Sequence, residues 1–187
     1  AQTSLVSLED QMASIKSNLL LMTGWDYDSD VTIGAIPPAD VSLLDTIDFE
    51  ADKAIAPKNN YTIIGMRNAA PKDADGDGKY QNKDYTARER GVEQATQQLS
   101  ITMDGLYLTM LEKKASLQAA QTAYEAATLK WEGAGRKYQL GMLGRLEYLQ
   151  TKVAYLQAKM TYDMAVLTLK QSIENYNWAV QGVVELD

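Results

Sequence analysis

The feature that most constrains the fold is an apolar stripe that runs from Leu99 to Trp131 with no proline in it. Leu99, Met103, Leu106, Met110, Lys113, Leu117, Ala120, Tyr124, Ala127 and Trp131 step by four and three, and only Lys113 departs from the pattern. That spacing keeps one face of an α-helix apolar, and a helix of such length must lay the face against another element. The segment LGMLGRLE then brings Gly141 and Gly144, suited to a tight reversal between antiparallel helices. Beyond the turn a second long helix carries two stripes. Leu146, Leu149, Val153, Leu156 and Met160 form one, which fades where Asp163 and Lys170 take the next heptad places. Tyr148, Tyr155, Tyr162, Val166, Leu169, Ile173, Tyr176 and Val180 form the other, rotated around the helix. Two apolar faces imply two neighbours, which a lone pair of helices does not supply.

Upstream, Leu5, Leu8, Met12, Ile15, Leu19 and Met22 repeat the spacing and stop at Gly24, the pattern of a helix ended by a glycine. Residues 25–45 hold Gly34, the Pro37–Pro38 pair and several Asp; they read as a linker with a short extended piece over Val31–Ile36. A short helix is expected from about Ile47 to about Asn59, kinked or stopped early by Pro57. SIKSNLLLMTG (Ser14–Gly24) aligns without gaps on SIENYNWAVQG (Ser172–Gly182), sharing Ser-Ile at the start and Gly at the end. Both helices are therefore expected to end alike, as parts of duplicated halves of which the first is incomplete. The organisation expected is one elongated helical domain over 1–187. In it 1–24 close a first repeat, 25–45 link, and 46–187 form a second repeat with a metal-type loop at 73–84 and a turn at 140–145.

Inventory excludes several function classes. With no Cys and no His, disulfides, thiol catalysis, Cys/His zinc sites and histidine acid–base chemistry are ruled out. A net charge of −7 with singly scattered Lys and Arg argues against a nucleic-acid partner. No apolar run approaches the roughly 18 residues of a membrane helix. The opening AQTSLVSLED has neither a basic n-region nor an apolar h-region, so any export signal has been removed or lies outside the sequence; the missing Cys fits an extracytoplasmic protein. Glu125, Glu132 and Glu147 lie near tyrosines, but helix-surface acids at such spacing are solvated as a rule, and no enzyme is expected. Eleven Tyr against a single Phe point to wet or partly exposed interfaces.

Between the short helix and the long one lies DADGDGKYQNKD. Asp73, Asp75, Asp77, Gly78 and Asp84 occupy positions 1, 3, 5, 6 and 12 of an EF-hand-type calcium loop. Lys79 would offer its backbone carbonyl, Gln81 a direct or water-mediated contact, and Asp84 the closing carboxylate. The loop looks most like the single loops of dockerin modules, which also close with Asp, although Tyr80 sits where a β-branched aliphatic is usual. A solvated acidic turn is the alternative, since Asp and Gly are default loop residues. Pro71 disfavours an entering helix, and there is no second loop to pair with, so a groove-opening switch is not expected. The expectation is a structural Ca²⁺ that neutralises four carboxylates and fixes the entry into the long helix after Tyr85.

The stretch AYEAATLKWEGAGRKYQLGMLGRLEYLQTKVAYLQAKMTYDMAVLTLKQSIENYNWAVQG resembles the C-terminal repeat of TolC-type outer-membrane efflux proteins. The likeness rests on Tyr138, Gly141, Gly144, Leu146, Glu147, Leu149, Gln150, Ala158 and a closing Leu/Val-rich helix ending at Gly182. Gly144 stands where that family usually has Ser or Thr, which leaves the following helix without a side-chain cap. IDFEADKAIAPKNNYTI is similar to the segment that opens each repeat, with Pro57 as a departure. The resemblance implies an all-α, long antiparallel coiled-coil hairpin bundle of the kind that packs, as trimers of duplicated protomers, into a periplasmic tunnel. It also implies a docking turn for a periplasmic adaptor at Leu140, Gly141, Met142, Leu143, Gly144 and Arg145, where glycines admit a partner backbone. The same glycines would equally close a hairpin that needs no partner. No run of about ten alternating residues marks a strand of the family's membrane β-barrel, so no barrel is expected. The function implied is a non-catalytic module of an efflux or secretion conduit in the periplasm or cell envelope. The alternative is a calcium-stapled structural coiled-coil protein of the envelope without transport activity.

Overall fold

The computed structural model of the chain describes residues 2–32, 34, 41–73, 75, 76 and 78–186. Among these residues all regular structure is helical and there is no strand. The helices are α1 (Gln2–Met22), a 3-10 helix (Val41–Thr46), α2 (Phe49–Asn59), α3 (Tyr61–Asn68), α4 (Asn82–Gln139) and α5 (Arg145–Val180). None of them is long and apolar enough to cross a membrane among the described residues. Residues 1–35 and 36–187 form two separate compact units.

In the first unit α1 leaves Met12, Ile15, Leu19 and Met22 exposed and buries Leu20. The side chains of Leu5 and Leu8 lie outside the described residues, as do Ile33, Ala35 and Ile36 of the expected extended piece; Val31, Thr32 and Gly34 adopt no regular structure. At the end of α1 the Thr23 N–H donates to Leu19 O, the Gly24 N–H to Leu21 O and the Trp25 N–H to Leu20 O. At the end of α5 the Gln181, Gly182 and Val183 N–H groups donate to Asn177, Ala179 and Trp178 in the same way. Gly24 and Gly182 both sit at positive φ, +83° and +91°. The two aligned segments thus end alike, as the alignment predicts, because a left-handed glycine lets its own N–H and that of the next residue fold back on carbonyls of the last turn.

In the second unit α4 and α5 run antiparallel. Tyr107 meets Tyr176 at one end and Tyr138 meets Tyr148 beside the turn. The expected α4 stripe faces inward: Leu99, Met103 and Met110 are fully buried, and Leu117 and Ala120 nearly so. From α5 the second stripe answers it with Val166, Leu169, Ile173 and Tyr176, and Ala56 and Ile63 close the core. Three expectations are corrected here. The linker over 25–45 does not stay irregular to its end, because the 3-10 helix seats Leu44 in the core. The short helix starts at Phe49, where the Asp48 carboxylate accepts from the Ala51 N–H at 3.1 Å, and Pro57 lies inside it. Proline removes one backbone bond late in a helix that ends two residues later, so the helix survives. A further short helix, α3, follows at once, and α4 begins at Asn82 rather than after Tyr85.

The α2–α3 junction anchors the end of the chain. Asn60 is fully buried, and its side chain accepts from the Ile63 N–H at 3.0 Å to cap α3. Its amide donates to Val184 O at 2.9 Å and to Gly182 O at 3.3 Å, while Asn59 donates to Val180 O at 2.9 Å. Lys53–Asp104 at 2.6 Å and Lys114–Asp45 at 2.7 Å tie α2 and the 3-10 helix to α4. Such partly exposed pairs contribute at most about 1 kcal/mol each, so the buried Asn60 and the apolar core carry the packing.

Candidate functional site

Three places combine exposure with unusual chemistry: the acidic loop, the α4–α5 turn and the outer face of α5. In the loop the chain wraps around Asp73, whose Oδ1 accepts from the Asp75 N–H at 3.1 Å and the Gly76 N–H at 2.8 Å. Its Oδ2 accepts from the Gly78 N–H at 2.7 Å. Gly76 and Gly78, at φ +69° and +76°, let the backbone turn back on that carboxylate. Asp75 Oδ2 accepts from the Gln81 amide at 3.2 Å and pairs with the Lys83 ammonium. Asp84, 3% exposed, lies on the first turn of α4, and its Oδ2 accepts from the Gln81 N–H at 2.8 Å to complete a capping box.

Asp77 lies outside the described residues, and among the others no three acidic side chains converge on one point. Asp73, Asp75, Gln81 and Asp84 are nonetheless held on one turn of chain, and Lys79 follows Gly78 on its surface. The groups offered are carboxylate, amide and backbone oxygens, which suit a hard cation such as Ca²⁺ and not a transition metal.

At the turn the Leu140, Gly141 and Met142 N–H groups donate to Arg136, Tyr138 and Lys137 carbonyls, the same glycine-ended pattern as in α1 and α5. Gly141 sits at φ +71°. Gly144 is the N-cap of α5 and gives no side-chain hydrogen bond, as expected of a residue without a hydroxyl. Leu140 and Met142 project into solvent at 74% and 71% exposure. Leu143 is half-buried over a shallow cleft lined by Lys130, Ala134, Lys137, Glu147 and Thr151. Arg145 is the first residue of α5. All six expected docking residues therefore lie at one end of the α4–α5 pair.

The outer face of α5 is the first stripe. Leu146, Leu149, Val153, Leu156 and Met160 are all exposed, and Met164 and Leu167 extend the row. Toward α4 the same helix presents a half-buried aromatic seam instead. Trp131 stacks on Tyr148 at 4.6 Å and on Tyr155 at 6.1 Å. Tyr124 meets Tyr155 at 5.8 Å and Tyr162 at 5.4 Å. The Tyr124 and Tyr155 hydroxyls approach to 3.4 Å, and that contact, with some burial, holds the Tyr155 phenol above its ordinary pKa. Glu125, Glu132 and Glu147 are exposed, and Glu147 borders the cleft beneath Leu143.

Asn60 is the structurally decisive residue that sequence reasoning missed. Its signal was the Asn-Asn pair before Tyr61, a helix-capping residue after Pro57. Comparison with protein-family models, with curated proteins and with solved structures finds no match to this chain.

Proposed function

We propose that the chain is a non-catalytic helical module of a TolC-like efflux or secretion conduit. In this reading α4 and α5 form a long antiparallel coiled-coil hairpin that packs against other protomers outside the cytoplasm, in the periplasm or cell envelope, and docks an adaptor protein through residues 140–145. The observation that carries it is the row of exposed apolar side chains along α5, on the side away from α4. A row of that length in water favours a partner that covers it. The exposed Leu140 and Met142 at the turn support a second contact there. The sequence likeness over residues 123–182 supplies the identity of the assembly, a trimer if the family's arrangement is kept.

The acidic loop would hold a structural Ca²⁺ through Asp73, Asp75, Asp77, Lys79, Gln81 and Asp84, fixing the entry into α4. Light scattering on the chain, with calcium and then with chelator, tests the assembly. A discrete oligomer is the expected result, and a monomer in both conditions removes the conduit reading.

A second reading, a calcium-stapled structural protein of the cell envelope without transport, is favoured by one observation: the loop already folds around Asp73. It expects a monomer or simple dimer whose thermal stability rises with calcium.

A further inference from the structure

We propose that Tyr124 and Tyr155 are an oxidative cross-linking pair that joins α4 to α5 through a carbon–carbon bond between their rings. With no Cys in the sequence, no disulfide can tie the two helices, and coupled tyrosines are a covalent tie that this composition leaves open. The tie lies within one chain, whatever that chain assembles with.

The geometry singles out this pair among the tyrosines. Their ring centroids stand 5.8 Å apart and the ring planes meet at 34°, while the hydroxyl oxygens approach to 3.4 Å. The rings therefore converge toward their hydroxyl ends. A phenoxyl radical carries unpaired spin on the carbons ortho to its oxygen, and those carbons lie at the near end of this contact. Each ring is braced on another side, Tyr124 by Tyr162 at 5.4 Å and Tyr155 by Trp131 at 6.1 Å. Both are half-buried, so water and a small oxidant reach them. The other close pairs lack this combination. Tyr124 with Tyr162 and Tyr138 with Tyr148 stack more nearly parallel, at 15° and 11°, and no hydrogen bond joins their hydroxyls. Tyr107 lies 6.2 Å from Tyr176, but Tyr176 is 1% exposed and its hydroxyl is held by Asp52.

The coupling balances as follows. Each phenol gives one electron to a one-electron oxidant, such as a peroxidase haem oxidised by hydrogen peroxide, and one proton to water. The hydroxyl contact, ahead of burial, holds the Tyr155 phenol above its ordinary pKa, so that ring reacts as the phenol. A bond then forms between the two ortho carbons, whose hydrogens leave as protons while the two oxygens take up protons, which restores both phenols. Each link removes two electrons and two protons from the protein and turns one hydrogen peroxide into two waters. The bond closes the loop of chain that contains the α4–α5 turn, and a cross-link of that kind constrains the unfolded chain.

Peroxidase and hydrogen peroxide, added to the full chain, test the pair. Chains that still run as monomers on a denaturing gel are digested with trypsin, which excludes links between copies. The main linked product expected is ASLQAAQTAYEAATLK (115–130) joined to VAYLQAK (153–159), lighter than their sum by two hydrogen atoms. Tyr155→Phe keeps the ring and its packing; its circular dichroism is expected to match the native chain while the dityrosine fluorescence of the monomer band is lost. Tyr148→Phe and Tyr162→Phe are expected to retain it. The linked monomer is expected to melt at a higher temperature and to exchange amides more slowly over residues 124–155 than the unoxidised chain. Oxidation in urea is expected to scatter the coupling over many tyrosine pairs. A native monomer without the link, a main product from another pair, or an equal yield of the same link from the unfolded chain overturns the proposal.

Discussion

Gly182 and Gly24 close their helices with the same hydrogen bonds, yet they differ in what surrounds them. A Cβ on Gly182 would lie 2.2 Å from the Asn59 carbonyl oxygen, whereas nothing lies within 4 Å of one on Gly24. Gly24→Ala is therefore expected to cost only the left-handed backbone, about 1–2 kcal/mol. Gly182→Ala must in addition push the chain end off the α2–α3 junction, and denaturant melts are expected to show about 3 kcal/mol or more. Asn60→Ala removes the cap that accepts from the Ile63 N–H and two bonds to carbonyls of the chain end; about 2–4 kcal/mol is expected, with faster amide exchange at Ile63. Tyr176, 1% exposed, donates to Asp52 Oδ2 at 2.8 Å. Burial first, and then the bond to that carboxylate, hold its phenol well above the ordinary value. A phenol whose folded pKa is raised contributes stability fully below its unfolded pKa of about 10 and loses it as pH rises beyond. The melting temperature is expected to fall more steeply above about pH 10 in the native chain than in Tyr176→Phe, and parallel alkaline limbs would refute that role.

At the level of elements, α5 changes its packing along its length. From Val166 to Tyr176 it meets a dry core; from Tyr148 to Tyr162 it meets α4 through half-buried rings. Leu169→Ala is expected to cost about 2–5 kcal/mol and to lower the cooperative melt of the unit, because it opens a cavity in that core. Trp131→Ala removes stacking on two tyrosines in the half-buried seam between α4 and α5 near the turn. Its main effect is expected in faster amide exchange over residues 124–155, with a smaller shift of the melt, since local openings draw on local contacts. Equal exchange throughout the helix pair would show instead that α4 and α5 open as one.

For the whole molecule, the calcium loop and the outer face of α5 make separable demands. If Asp73 heads a cation site, calcium at a hundredfold its dissociation constant is expected to stabilise the chain by about 2.7 kcal/mol. Asp73→Asn would abolish that shift. It would also weaken the loop without calcium, because Asp73 holds three backbone N–H groups. A melting temperature unmoved by calcium in the native chain would leave the carboxylate a brace of the loop backbone and not a cation ligand. Leu156→Asp is expected to leave the melt of a dissociated chain nearly unchanged, since the side chain is already 49% exposed, but to prevent assembly.

Much of this was legible in the residues themselves. The inward stripe of α4, the two faces of α5, the glycine stop shared by Gly24 and Gly182 and the uncapped start at Gly144 are all local properties. A helix period or a positive φ depends on a few neighbouring residues and can be read from them. The 3-10 helix, α3 and the place of Asn60 could not be read so. Asn60 gains its role from carbonyls at 182 and 184, which only the folded chain brings to it. The sequence by itself determined that α5 has two apolar faces. Only the tertiary structure decided which of them α4 covers, because periodicity belongs to one helix while burial belongs to a pair.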